Sequence, residues 1–141
     1  MTLTQSPAPA GAANADVLRR YYEAVAEGDL AAAAALLDPD VVVHVPGRSV
    51  NTGDHVGRDA VMTFLAEASA LTEGTLEFRI HDVLGSEEHA VCLTTYTARR
   101  PDRAPLANHL AHVVRIEHGR IAESWFHSRN QYEVDAFWGE G

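Results

Sequence analysis

Apolar side chains recur at two different spacings along this chain, and the change from one to the other falls near Gly74. From Asp16 to Glu27, Val17, Leu18, Tyr21, Tyr22 and Val25 return every three or four residues, which predicts a helix with one face on a core. Gly28 can end that helix, and Asp29 can cap a second, alanine-rich helix over Leu30 to Leu37 that Asp38-Pro39 stops. Val61, Phe64, Leu65 and Ala68 predict a third helix from Arg58 to Leu71. Before it, Asp40 to Val45 is a β-branched run closed by Pro46-Gly47, and it reads as the first strand.

After Gly74 the pattern alternates. Thr75 to Leu84 and His89 to Ala98 flank a turn at Gly85-Ser86-Glu87-Glu88. The polar loop Arg99 to Pro105 leads to Asn108 through Glu117, and His118-Gly119 makes a tight hairpin into Arg120 to Ser128. Gln131 to Trp138 predicts a closing turn of helix. Helix, helix, strand, helix and then a four-strand meander is the order of an α+β domain, with helices on one face of a curved antiparallel sheet. No repeat or linker divides the chain, so one domain is expected over residues 14–141, after a disordered tail from Met1 to Ala13.

Composition narrows the function. The 141 residues, 46% of them hydrophobic, are enough for one core. A net charge of −9, with 20 acidic against 11 basic residues, repels phosphate backbones and argues against nucleic acid as a partner. Every basic residue is arginine, so Schiff-base chemistry and a phosphate-loop lysine are excluded. Cys92 is the single cysteine and sits in an apolar run, which forbids an internal disulfide and fits a cytoplasmic setting. No apolar run approaches membrane-spanning length, and the N-terminal residues lack the pattern of a signal peptide; no membrane partner is expected.

Titratable residues gather in a few places. His44 ends the first strand, and the glycine-punctuated loop after it carries Arg48, Asp54 and His55. Strand ends and returning loops are where small folds place pockets, so His44 is a candidate general base or an anchor for that loop, and Asp54 a polar contact. His109 and His112 are three apart on one strand, on opposite faces, and cannot chelate together; no clustered ligand motif exists and no metal is expected. His112 shares a face with Val114 and Ile116 and should point inward. Strict alternation puts Trp125 and His127 on one face with Ile121 and Glu123, an aromatic wall ending in a histidine. Tyr22 could aim its hydroxyl into the interior as a hydrogen-bond donor, and Phe64 would shape the cavity's side.

In order and spacing, several segments together resemble the SnoaL-like branch of the nuclear-transport-factor-2-like superfamily. They are Tyr22-Glu23-Ala24 with Gly28-Asp29, His44-Val45-Pro46-Gly47 with Gly53 and Gly57-Arg58-Asp59-Ala60-Val61, Val113-Val114-Arg115-Ile116 with Gly119-Arg120-Ile121, Trp125, and Asp135-Ala136-Phe137-Trp138. The resemblance implies a cone: a curved antiparallel sheet wrapped around three N-terminal helices, enclosing a deep apolar pocket, usually in a homodimer. It also implies a cofactor-independent acid–base enzyme cyclising or isomerising a hydrophobic carbonyl-bearing small molecule such as a polyketide. The superfamily also holds epoxide hydrolases and non-catalytic binding proteins. SnoaL-like cyclases carry an aspartate a few residues after the tryptophan, where this chain has Ser128-Arg129-Asn130. Either His127 or His44 then replaces the base, with Asn130 and Tyr22 as oxyanion donors and Trp125 and His112 against the substrate, or the cone only holds a ligand.

Overall fold

A computed structural model describes residues 11–139. Its elements run α1 (Gly11–Glu27), α2 (Leu30–Ala35), β1 (Leu37–Val45), β2 (Gly53–Val56), α3 (Arg58–Leu71), β3 (Glu77–Gly85), β4 (His89–Ala98), β5 (Leu106–Glu117), β6 (Arg120–Ser128) and α4 (Gln131–Trp138). The six strands form one curved, unclosed sheet in the order β2-β1-β6-β5-β4-β3, antiparallel except where β1 runs parallel to β6. Helices α1 and α3 pack into its concave side and make an α+β cone. Among the described residues no helix is long and apolar enough to cross a membrane.

The expected elements are present, with differences at their edges. Helix α1 starts at Gly11, so Gly11, Ala12 and Ala13 of the expected tail are helical, while residues 1–10 lie outside the described residues. Helix α2 stops at Ala35, and Asp38-Pro39 lies inside β1, where the pairing to β6 shifts register between Leu37 and Val42. An irregular stretch tolerates the proline that a regular ladder would reject. The short β2, one edge of the sheet, has no alternating apolar signal because its residues are exposed or half-buried.

The core follows the α1 stripe. Leu18, Leu37, Val41, Val61, Val114 and Ile121 are almost completely buried and belong to one apolar cluster. Asp29 caps α2 by accepting from the Ala32 amide at 3.1 Å. The N-terminus of α1 is pinned to the β3–β4 turn, where the Asn14 side-chain amide donates to the carbonyls of Ser86 (2.8 Å) and Glu87 (3.0 Å).

This docking brings backbone against backbone at Gly85. A Cβ there would fall within van der Waals contact of the Gly11 carbonyl and the Ala15 amide, neither of which can swing aside. Gly85→Ala should therefore lower the unfolding free energy by about 1–3 kcal/mol, as overpacking does, read as a fall in the urea midpoint at unchanged slope. An unchanged midpoint would show that α1 docks less tightly than the geometry indicates.

Candidate active site

On β5, alternate side chains enter the cone, and Asn108, Leu110, His112, Val114 and Ile116 are all buried. His112 thus faces inward, as its shared face with Val114 and Ile116 requires. Strand β6 behaves differently. Arg115 pairs with Glu123 but Ile116 pairs with Ile121, so Ala122 is an extra residue in the ladder. Such a bulge reverses which face each following residue takes. Ile121 is interior, and beyond Ala122 it is Ser124, Phe126 and Ser128 that line the cone.

The interior is a cavity of about 130 Å³, room for roughly ten waters. Its lining is apolar with a few neutral polar groups, and among the described residues no aspartate, glutamate or arginine contributes. Tyr22 from α1, Phe64 from α3 and His112 from β5 all line it. The Tyr22 hydroxyl and His112 Nδ1 are 2.6 Å apart, and His112 Nε2 is hydrogen-bonded to Ser124 Oγ. The imidazole is held by stacking on Phe126, with ring centroids 4.4 Å apart, while Tyr22 packs edge-on against it.

Burial sets the charge state of this chain of groups. It pushes the His112 pKa down to about 3 and lifts that of Tyr22 well above its ordinary value. Burial also raises the Cys92 thiol to about 11. Imidazole, phenol and thiol are therefore neutral together, since a desolvated charge without a counterion is costly. Two proton arrangements satisfy the pair of bonds at His112. In one, Tyr22 donates to Nδ1 and the Nε2–H donates to Ser124. In the other, Ser124 donates to Nε2, the Nδ1–H donates to Tyr22, and the phenol proton is free for a ligand.

The cavity has a second polar group at its other end. Trp138 Nε1–H donates to the Tyr96 hydroxyl oxygen at 3.2 Å, and the Asn108 amide donates to Ser128 Oγ at 3.0 Å. None of Asn108, Ser124, Ser128 and Trp138 was a candidate on sequence grounds. Period-two reading could have found Asn108 from His112, but the two serines face inward only because of the bulge.

The other candidates lie elsewhere. Trp125 and His127, expected inward with Ile121, face the convex side because Ala122 reverses their parity; His127 is exposed opposite Ala111. His44 also points to the convex face, so it and His127 do not converge on the cavity with Tyr22. Asn130 caps α4 by accepting from the Glu133 amide at 3.3 Å and lines a polar surface groove with His109 and Arg129. Among the described residues no cluster of metal-ligating side chains occurs.

His44 has its own network. Nδ1 lies 2.7 Å from Asp54 Oδ1 and Nε2 lies 2.7 Å from Glu123 Oε2, while the ring stacks on Trp125 at 5.7 Å. Arg115 Nε reaches the other Glu123 oxygen at 3.4 Å. Two carboxylates accept from both ring nitrogens only if His44 is protonated. Its pKa is accordingly raised by Glu123 and Asp54, and that of Glu123 is lowered by His44 and Arg115.

A raised histidine stabilises the fold below its ordinary value and loses the effect as pH rises through its folded value. A lowered carboxylate stabilises above its ordinary value and loses the effect as pH falls through its folded one. The ordinary values are 6.5 for His44 and 4.5 for Glu123, so the full contribution lies between them. Thermal melts of the wild type and His44→Gln across pH should differ most in that window, the gap closing on both sides. A gap that widens above the window would rule out a protonated His44.

The comparisons with known proteins agree with the architecture. A family model described as the SnoaL-like domain matches residues 18–124. Bal32a, from a soil-derived mobile gene cassette, is 30% identical with a TM-score of 0.87, covering 91% of this chain and 98% of its own. An uncharacterized protein of Mycobacterium tuberculosis is 29% identical over 127 residues, 89% of this chain and 96% of that one. IdmH from Streptomyces antibioticus, described as a candidate polyketide cyclase, is 20% identical with a TM-score of 0.70, covering 86% and 95%, a likeness of fold alone. With the family match running from the core face of α1 to the first inward serine beyond the bulge, this chain belongs to the SnoaL-like family.

Proposed function

We propose that the cone binds an uncharged, hydrophobic, carbonyl-bearing molecule and moves a proton on it through Tyr22, His112 and Ser124. The observation that carries this reading is a continuous hydrogen-bonded chain of three neutral groups in a cavity lined by no ionised side chain. A carboxylate base of the kind cyclase relatives use has no counterpart in that lining. Imidazolium and phenolate are both strongly disfavoured there. A relay avoids either species: as Tyr22 takes a proton from the ligand's α-carbon it hands its own to Nδ1, Nε2 passes its proton to Ser124, and Ser124 gives its hydroxyl proton to the ligand's carbonyl oxygen, leaving a neutral enol. His112 then changes tautomer and acquires no charge.

Substrates whose protons are already acidified between two carbonyls suit such a weak base, because the ligand supplies much of the acidity. Polyketide-like β-dicarbonyl compounds are of this type, and enolisation is the first step of both their isomerisation and their aldol cyclisation. With the phenol proton free, Tyr22 can instead hold the developing enolate oxygen, an interaction strengthened by exclusion of water. The candidate polyketide cyclase IdmH shares this fold, which supports the substrate class by analogy only.

The test is exchange of the α-proton of a neutral β-diketone for deuterium in heavy water, followed by NMR with catalytic protein. The wild type should accelerate exchange, and Tyr22→Phe and His112→Leu should each reduce it on the order of 10²-fold, the lower range for positioned proton transfer. His127→Ala, on the convex face, should exchange as the wild type does. The rate should be flat from about pH 5 to 9, since neither relay member titrates there. A pH limb inside that range would return the base to a group outside the relay. Saturable binding of the diketone without exchange would make the cone a carrier and overturn the catalytic reading.

A further inference from the structure

Tyr22 is one of three phenols that line this cavity, with Tyr21 and Tyr96, and Tyr96 is positioned as a donor more firmly than Tyr22. The Tyr96 oxygen accepts from the indole N–H of Trp138, a group that can only donate. That bond occupies the phenol oxygen as an acceptor and leaves the phenol's own proton to be given away. Tyr96 is buried, lines the cavity and is held from the side by Phe78, with ring centroids 6.2 Å apart. Phe78 in turn packs edge-on against Tyr22 at 5.3 Å.

Register fixes how far apart the two ends lie. Tyr96 pairs with Asn108, and Cys92 pairs with His112, the residue bonded to Tyr22. Four residues separate these levels on both strands, a rise of about 13 Å. Between them the lining is Leu110, Phe126 and Phe78. The second end also draws on β6, where Ser128 stands four residues beyond Ser124. The cavity is thus polar at both ends, apolar at its waist and uncharged throughout.

We propose that the cone is built for a rigid, uncharged molecule of two or three rings carrying a hydrogen-bond-accepting oxygen at each end, one received by Tyr22 and the other by Tyr96. Charged ligands are rejected because nothing in the lining can neutralise a carboxylate or a phosphate. A ligand with one oxygen leaves the far Tyr96 donor buried and unpaired, which is what discriminates against it. The inference rests on the cavity being the working site, as in the function proposed above, but it concerns recognition rather than proton transfer.

Binding measured by intrinsic tryptophan fluorescence or calorimetry tests it, with no turnover required. The probes are neutral para,para′-diacetylbiphenyl, its mono-acetyl analogue and biphenyl dicarboxylate. The diketone should bind at least about tenfold tighter than the monoketone, one hydrogen bond's worth of discrimination, and the dicarboxylate should show no saturable binding. Tyr96→Phe should reduce the diketone to the affinity of the monoketone. Equal wild-type affinity for the two ketones would overturn the proposal without recourse to any variant, so it stays testable even if Tyr96→Phe folds poorly. Saturable dicarboxylate binding would equally overturn it. Two-ended recognition without α-proton exchange would sink the relay alone, and exchange without two-ended recognition would sink this inference alone.

Discussion

Between Arg115 and Ile116, β5 faces a partner strand that holds one residue more than the ladder needs, and Ala122 is that residue. Without the bulge, Ile121 and Trp125 would share a face, and the interior of β6 would carry Glu123, Trp125 and His127. With it, Ile121 keeps its core position while Ser124, Phe126 and Ser128 turn inward and the charged and aromatic set turns out. Glu123 then meets His44 on the convex face, and Ser124 meets His112 inside. Both networks depend on this one insertion.

The resulting separation of charge follows from solvation. His44, Asp54, Glu123 and Arg115 form ionised pairs where water can reach them, and the pKa values of His44 and Glu123 shift toward the charged form. The buried groups Tyr22, His112 and Cys92 shift toward the neutral form. The same residue type therefore has opposite roles on the two faces: His44 is an imidazolium between carboxylates, and His112 is a neutral link between two hydroxyls. A histidine's chemistry here is set by which side of the sheet it occupies, and a single-residue shift of register decides that side.

This explains which parts of the molecule were legible in the sequence. The α1 stripe of Val17, Leu18, Tyr21 and Tyr22 read correctly because helical periodicity there reports directly on burial. His112 was placed inward by its neighbours Val114 and Ile116, since β5 alternates without interruption over that stretch. Counting by twos fails across Ala122, so Trp125 and His127 were expected in the wall and are outside it. Neither Ile121-Ala122 nor the residues after it announce a bulge, because both are small or apolar enough for either face. Asp54 was placed in the loop after His44, but their cross-strand pairing needs β2, an edge strand that carries no apolar alternation. The hydrogen-bonding role of Tyr96 depends on Trp138, forty-two residues away, a contact invisible to local pattern.

That contact ties recognition to the closing helix. Helix α4 is held at its C-terminal end by Arg100, which donates to the carbonyls of Phe137 and Trp138, and by Arg103, which donates to that of Phe137. Cations at the end of a helix also oppose the negative pole of its dipole. Asn130 caps the other end, and the Val50 amide donates to the Gly139 carbonyl at 2.6 Å. The helix therefore carries Val134 and Trp138 into the cavity wall as a unit fixed at both ends. Because Trp138 engages the Tyr96 oxygen, the far donor is set only while α4 is seated. The closing helix thus does more than shield apolar surface: by occupying the acceptor side of Tyr96, it leaves that phenol free to donate into the cone.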